Sequence, residues 1–396
     1  MIKKFSMFLV LTFQCFAGPA QNKSNAFALS LFSHLEKGEE NVAFSPYGLF
    51  NNLLLLSYGA YKGTKKELRH TLGLSVNDKS CAHLYARDYP LNMTTGLFAH
   101  QGTAFTPAFE NIAQDLFDAE LHTVNYTMGS EAVSTINGWI ANQTGGKISG
   151  LIEESDIDSA TRLILANTVY FEKGWISPFM PQNTHHDPFY PEQGSPIQVE
   201  MMRQSKEFLY FEDGQTQGVY LPFARGTKDT SSVECLLLLP SDKSSLEELE
   251  KSLSEKTLAQ WKESRALTPM QVQVPKFSFS KKVTLDPALK DMGITSAFSS
   301  GANFKGMSTD QKLYLQTCLQ ETFFSFHEKG VTAAAATTSH MGLTAMPPQV
   351  CPEASFIAER PFLFLLVSAE DDTILFMGRV ASPQEALPGD AIADGI

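Results

Sequence analysis

The hydrophobic and polar positions fall into alternating helical and strand-like blocks. Residues 25–35 place Phe27, Leu31 and Leu35 at helical spacing, with Phe32 beside them, and predict an amphipathic helix. A short strand follows at Asn41–Phe44. Ser45-Pro46 then reads as a cap and a first helical position. The helix it opens, over 47–60, is apolar on most sides and therefore central. Residues 63–73 predict a third helix with Leu68 and Leu72 inward. Further along come a strand over 93–101 and a helix over 105–117 opened by Thr106-Pro107. A helix over 131–148 follows, stopped at Gly145-Gly146. Trp139 in that helix is read as packing. Residues 162–175 form one long strand-like run that is almost wholly apolar inside, apart from Asn167. A buried asparagine needs partners for its amide. Strands are expected over 208–221, 233–240 and 272–279, with a charged amphipathic helix over 246–261 and helical turns within 285–298.

One stretch obeys neither period. Between the strand-like blocks 321–327 and 362–367 lies Glu328-Lys329-Gly330-Val331-Thr332-Ala333-Ala334-Ala335-Ala336-Thr337-Thr338-Ser339, running on to Pro348. From Val331 to Ser339 nothing is larger than valine and nothing is charged. In an extended chain, alternate residues face opposite ways. One set is Val331, Ala333, Ala335, Thr337 and Ser339; the other is Thr332, Ala334, Ala336 and Thr338. Either could slide under a covering layer. Such smallness suits a flexible linker, or a segment that enters a sheet as a new strand.

The chain around this stretch resembles the serpin family. Glu328-x-Gly330-x-x-Ala333-Ala334-Ala335-Ala336-Thr337 is similar to the hinge of an inhibitory serpin's reactive loop. Phe356-Ile357-Ala358-Glu359-Arg360-Pro361-Phe362 and Phe376-Met377-Gly378-Arg379-Val380 are similar to the family's C-terminal signature. The resemblance runs from about Ala26 to Pro383. It implies an α+β serpin fold with three β-sheets, about eight or nine helices and an exposed reactive-centre loop at about 328–355. It implies a suicide inhibitor of serine proteases that forms a covalent complex with its target. The loop is cleaved, the acyl-enzyme forms, and the freed segment from Gly330 inserts into the main sheet. About 15 residues at roughly 3.3 Å each span about 50 Å, enough to cross a sheet. The native fold is then kinetically trapped above a more stable form.

The same resemblance assigns residues. The hinge is Glu328, Gly330, Val331, Thr332, Ala333, Ala334, Ala335 and Ala336. Ser45, Asn167, Trp175 and Lys276 lie where the main sheet opens, with Lys276 paired to Glu328. Counting from Glu328 places the reactive bond at Thr344-Ala345, which suits an elastase-like pocket. Leu343 would suit a chymotrypsin-like protease, and Met341 is a further alternative. Val331 departs from the usual threonine, Gly48 from a common serine, and Gln320 from a common histidine. The last two stand near Asn167 and change the polar network there.

Composition narrows the partners. The formal net charge is −12, which argues against nucleic acid and general polyanions. Residues 78–90, where many serpins place a basic helix, balance Lys79 and Arg87 against Asp78 and Asp88, which argues against strong heparin binding. Residues 1–20 read as a signal peptide, with Lys3 and Lys4 before an apolar run and Ala17-Gly18-Pro19-Ala20 after it. That leaves residues 21–396 as a single exported, monomeric domain with no other membrane-spanning stretch. Beyond Cys15, the cysteines Cys81, Cys235, Cys318 and Cys351 form no Cys-x-x-Cys pair, so neither a disulfide framework nor a zinc site is expected. Four glycosylation sequons, at Asn22, Asn92, Asn125 and Asn142, carry no argument, since such matches arise often by chance. No Gly-x-Ser-x-Gly, His-Glu-x-x-His, P-loop or Gly-x-Gly-x-x-Gly is present, and His185-His186 is an isolated pair. No enzyme activity, metal or cofactor is expected. The alternative function is that of a non-inhibitory serpin, a carrier or chaperone; the alanine run opposes it, because such a hinge would hold bulky or charged residues.

Overall fold

Most predicted elements form, and three of the departures fall at a polar residue, Asp213, Ser254 or Lys276, that interrupts the pattern. The computed structural model describes residues 19–35, 40–76, 89–148, 150–227, 229, 231–242, 244–310, 312–331 and 352–383. Helix α1 spans Pro19–His34, so it starts earlier than the periodicity indicated. Strand β1 (Val42–Phe44) leads into α2 (Pro46–Gly59), where Ser45 Oγ accepts from the Gly48 N–H at the cap. Helices α3 (Lys62–Thr71), α4 (Pro107–Phe117) and α5 (Gly129–Gln143) follow, with β2 (Asn92–His100) and β3 (Ala119–Val124) among them.

Four sequence readings are corrected. The long strand over 162–175 is β4 (Leu163–Tyr170) and β5 (Lys173–Gly174), separated at residues 171–172. The strand over 208–221 is two: β7 (Ile197–Glu212) and β8 (Thr216–Pro222), because Asp213 Oδ1 accepts the N–H groups of Gln215 and Thr216 and closes a turn. The helix over 246–261 is α6 (Leu246–Ser252) and α7 (Glu255–Ser264), because Ser254 caps a new start through the Thr257 N–H. The strand over 272–279 divides at Lys276 into β10 (Ala266–Pro275) and β11 (Phe277–Thr284), which belong to different sheets. The remaining elements are β6 (His185–Phe189), β9 (Val233–Pro240), α8 (Asp286–Asp291), β12 (Leu315–His327), β13 (Gly330–Val331), β14 (Ala354–Ile357), β15 (Phe362–Ser368) and β16 (Ile374–Val380). Eight α-helices stand among the described residues.

The three sheets that the resemblance implies are present as two continuous ladders. One runs β1-β16-β15-β9-β8-β7-β10-β14, with β6 also on β7. The 16-residue β7 is the reason: its end at Leu209–Glu212 bonds β8 and its start at Ile197–Met201 bonds β6, so two sheets merge along it. The other ladder runs β3-β2-β4-β12-β13-β5, with β11 on β12. The two sheets pack face to face through aromatic side chains. Phe324 of β12 stacks on Phe364 of β15 at 4.3 Å between ring centres. Helices α1, α2 and α4 close one end over a cluster that includes Phe27, Leu53 and Phe109. Helix α5 covers the far face of the seven-stranded sheet, where Ile136 and Ile140 meet Ile164, Ala166 and Leu319.

Candidate functional site: the seam between β4 and β12

β4 and β12 are parallel neighbours, paired from Leu163↔Leu315 to Tyr170↔Phe323. In mid-seam Asn167 stands opposite Gln320, and both are buried. Gln320 Nε2 donates to Asn167 Oδ1 at 2.6 Å and to the Ser45 carbonyl at 3.1 Å. Gln320 Oε1 accepts from the Ser45 N–H at 2.7 Å. Asn167 Nδ2 donates to the Thr94 carbonyl at 3.1 Å and to Thr95 Oγ1 at 3.3 Å. Ser45 Oγ donates to the Leu375 carbonyl at 2.7 Å. The network thus ties β2, β4 and β12 to the start of α2, and it satisfies the amide that the sequence left open. Gly48 lies beside it. A Cβ there would sit 3.2 Å from Asn167 Oδ1 and 3.1 Å from the Met93 sulfur, so glycine keeps space around the two amides. Thr322 Oγ1, also on the buried face, donates to the Ala43 carbonyl at 2.9 Å.

The other end of the seam holds the hinge. After His327 the chain turns at Glu328-Lys329 and comes back as β13. Val331 pairs with Phe326 and Gly330 with His327; on the other side Gly330 pairs with Gly174 and Val331 with Lys173. β13 therefore lies in the sheet between β12 and β5, in line with the seam. Backbones approach closely there: a Cβ on Gly330 would sit 2.1 Å from the Lys173 carbonyl oxygen.

The turn is held from several sides. Trp175 Nε1 donates to the His327 carbonyl at 3.0 Å, and the Trp175 N–H donates to the Lys329 carbonyl at 2.9 Å. The Trp175 ring stacks on Phe223 at 4.4 Å and packs against Phe326 at 5.0 Å. Lys276, placed where β10 hands the chain to β11, has Nζ 3.4 Å from Glu200 and 3.7 Å from Glu328. Glu328 Oε1 also accepts from Thr184 Oγ1 at 3.0 Å. Lys173 Nζ donates to Asp229 at 2.8 Å. Burial alone would raise the Asp229 carboxyl, but the Lys173 ammonium and the Gly226 N–H outweigh it and hold it below its ordinary value.

The structure thus brings Ser45 and Asn167 together through Gln320 at mid-seam. It brings Trp175, Lys276, Glu328, Gly330 and Val331 together at the hinge end. Thr332, Ala333, Ala334, Ala335, Ala336, Met341, Leu343, Thr344 and Ala345 lie outside the described residues, as do Cys15, Cys81 and Cys351. Sequence reasoning did not single out Thr94, Thr95, Thr184, Asp229 or Thr322. A signal for one of them was present: Gln320 and Thr322 are polar on the same parity as Phe324 and Phe326, the buried face of β12. Among the described residues no group of acidic, histidine or cysteine side chains could hold a metal ion. Cys235 and Cys318 are unpaired and buried, and burial pushes both thiols up, away from nucleophilic use.

β4 and β12 are thus paired parallel neighbours, with the returning strand β13 seated between β12 and β5 beyond one end of their pairing. Comparison with known proteins identifies the fold. Residues 22–383 match the family described as "Serpin (serine protease inhibitor)", and the chain belongs to that family. The leukocyte elastase inhibitor of Bos taurus is 31% identical over 376 residues, covering 90% of this chain and 97% of that one. The neuroserpin of Rattus norvegicus is 29% identical over 379 residues, covering 90% of each. Among solved structures, thyroxine-binding globulin in complex with thyroxine superposes with a TM-score of 0.81 at 26% identity, covering 92% of this chain and 99% of that one.

Proposed function

We propose that the protein is an exported, irreversible inhibitor of an elastase- or chymotrypsin-like serine protease. It acts by cleavage at Thr344-Ala345, with Leu343 or Met341 as the alternative residue before the cut, and by insertion of the freed hinge between β4 and β12. The observation that carries this reading is the position of β13, two residues of an antiparallel strand already seated between β12 and β5. Continuing its register favours one of the two parities that the sequence left open. Opposite residues in an antiparallel pair share a face. Ala333, Ala335 and Thr337 then follow Val331 on the inner face, opposite Phe324, Thr322 and Gln320. Thr332, Ala334 and Ala336 take the outer face, opposite Ser325, Phe323 and Glu321. The new strand must break the Gln320–Asn167 hydrogen bond, and orphaned buried amides cost about 1–3 kcal/mol each. In this register Thr337, a small hydroxyl residue, arrives between them and can bond both. Residues 1–20 supply the export signal in this reading.

The test is incubation of the protein with pancreatic-type elastase and, separately, chymotrypsin. An SDS-resistant complex with a released peptide starting at Ala345 is expected; a start at Thr344 moves the bond to Leu343. Cleavage without a complex by any serine protease tried would replace this reading with that of a carrier, the function printed in the name of thyroxine-binding globulin.

A further inference from the structure

The seam has a second polar pair, on its other face, and this one is poorly matched. Glu321 stands opposite Thr168 across the seam and opposite Lys282 on β11. Its carboxylate is half-buried, between Leu319 and Phe323 on the face that α5 covers. Oε1 accepts from Ser280 Oγ at 2.7 Å. Oε2 has no hydrogen-bond partner among the described residues, and neither does the buried Thr168 hydroxyl. The nearest cation is engaged elsewhere: Lys282 Nζ donates to Asp156 at 2.7 Å. Next along β4, Tyr170 is covered by Lys147, which is itself paired with Glu172. Among the described residues, the lysines of β11 and the lysine over Tyr170 therefore each have another carboxylate as their direct partner. A partly desolvated carboxylate without a cation of its own is costly, and costlier when one oxygen is unbonded.

We propose that Glu321 is a built-in wedge: its unmatched carboxylate raises the free energy of the closed β4–β12 seam and so favours strand separation and loop insertion. The second half of this statement rests on the insertion reading above. Insertion relieves the wedge. In the register set by β13, Ala336 replaces Thr168 as the neighbour of Glu321, and an alanine leaves room for water beside the carboxylate. The wedge is also pH-dependent. Burial raises the Glu321 carboxyl above its ordinary value, against smaller lowering effects of the Ser280 hydrogen bond and the Lys282 charge. A group raised in the folded state supports that state fully below its unfolded pKa, and the support is lost as pH rises through the folded pKa. The closed form should therefore weaken from about pH 4.5 upward.

The test uses Glu321→Gln and, as a second variant that keeps the carboxylate, Thr168→Val. Two readouts need no protease: the thermal midpoint of the native protein, and the rate at which a synthetic peptide of residues 331–344 anneals into the sheet. At pH 7.5 Glu321→Gln is expected to raise the midpoint by about 3 °C and to slow annealing about five-fold. At pH 4.5 wild type and variant should converge. Thr168→Val should shift both readouts in the same direction and by less. A Glu321→Gln midpoint at or below wild type at pH 7.5, or an unchanged difference between the two pH values, overturns the wedge. If no protease is inhibited but the midpoints move as stated, the wedge stands and the inhibitor reading falls. If inhibition is found and Glu321→Gln changes nothing, the reverse holds.

Discussion

Two strand seams in this molecule are built of opposite materials. Where β15 meets β9, the central pairs are Leu363↔Leu238, Phe364↔Leu237, Leu365↔Leu236 and Leu366↔Cys235, antiparallel and apolar, and Val367↔Glu234 and Ser368↔Val233 close one end. Where β4 meets β12, the central pairs are Asn167↔Gln320, Thr168↔Glu321 and Val169↔Thr322, in parallel. Both seams are central to their sheets. The first gains from every apolar side chain buried at its centre, and its polar residues, Glu234 and Ser368, stand at one end. The second holds polar groups whose worth depends on partners, and a parallel pairing is slightly weaker per residue. One seam is a permanent core. The other is closed at its centre by a few directional bonds, and in the proposed function a third strand takes them over.

The comparison can be attacked first at the hinge, where the effect should be largest. If the loop inserts in the proposed register, Ala335→Arg puts a charge on the inner face opposite the buried Thr322, and burying an unpaired charge prevents insertion. Loss of the SDS-resistant complex with cleavage retained is expected. Ala336→Arg faces outward beside Glu321 and should keep a measurable fraction of complex. Equal losses in a gel titration would refute the register drawn from β13.

In the permanent seam, Leu237→Ala should destabilise the native protein by about 2–5 kcal/mol through the cavity it leaves. It should also leave the ratio of complex to cleaved product unchanged at low temperature. Unfolding midpoints read together with gel densitometry test this, and a shifted ratio would show that the two seams are coupled. In the opening seam, Gln320→Ala should cost less, about 1–3 kcal/mol, by orphaning Asn167 Oδ1 and the Ser45 N–H. Here peptide annealing should speed up, and a slower rate would mean that the amide network promotes opening. The smallest effect is expected from Lys276→Met. This half-exposed ion pair contributes about 0–1 kcal/mol, so its removal should shift the midpoint by under about 3 °C. A larger shift in differential scanning fluorimetry would make the Lys276–Glu328 contact more than a bias on the hinge.

Much of the fold was legible because burial writes a period into sequence. Helix α2 is apolar on most sides, and Ser45-Pro46 marks its start; both are local facts. The breaks were less legible. Ser254 inside an amphipathic pattern, or Asp213 between two strand-like runs, interrupts an element through one side-chain hydrogen bond that periodicity does not register. The division at Lys276 was hidden for another reason: β10 and β11 alternate without a gap, and only their neighbours reveal two sheets.

The sequence by itself determined that residues 331–339 are small and uncharged, that a buried amide sits in a strand, and that the chain matches the serpin pattern from hinge to C-terminal signature. These are properties of composition, spacing and resemblance. Only the tertiary structure placed Gly330 and Val331 between β12 and β5, where Val331 is paired with Phe326. Only it joined Asn167 to Gln320 and left Glu321 with an unbonded oxygen. A partner 153 residues away along the chain is fixed by strand order and register, and those are set by the packing of the whole molecule.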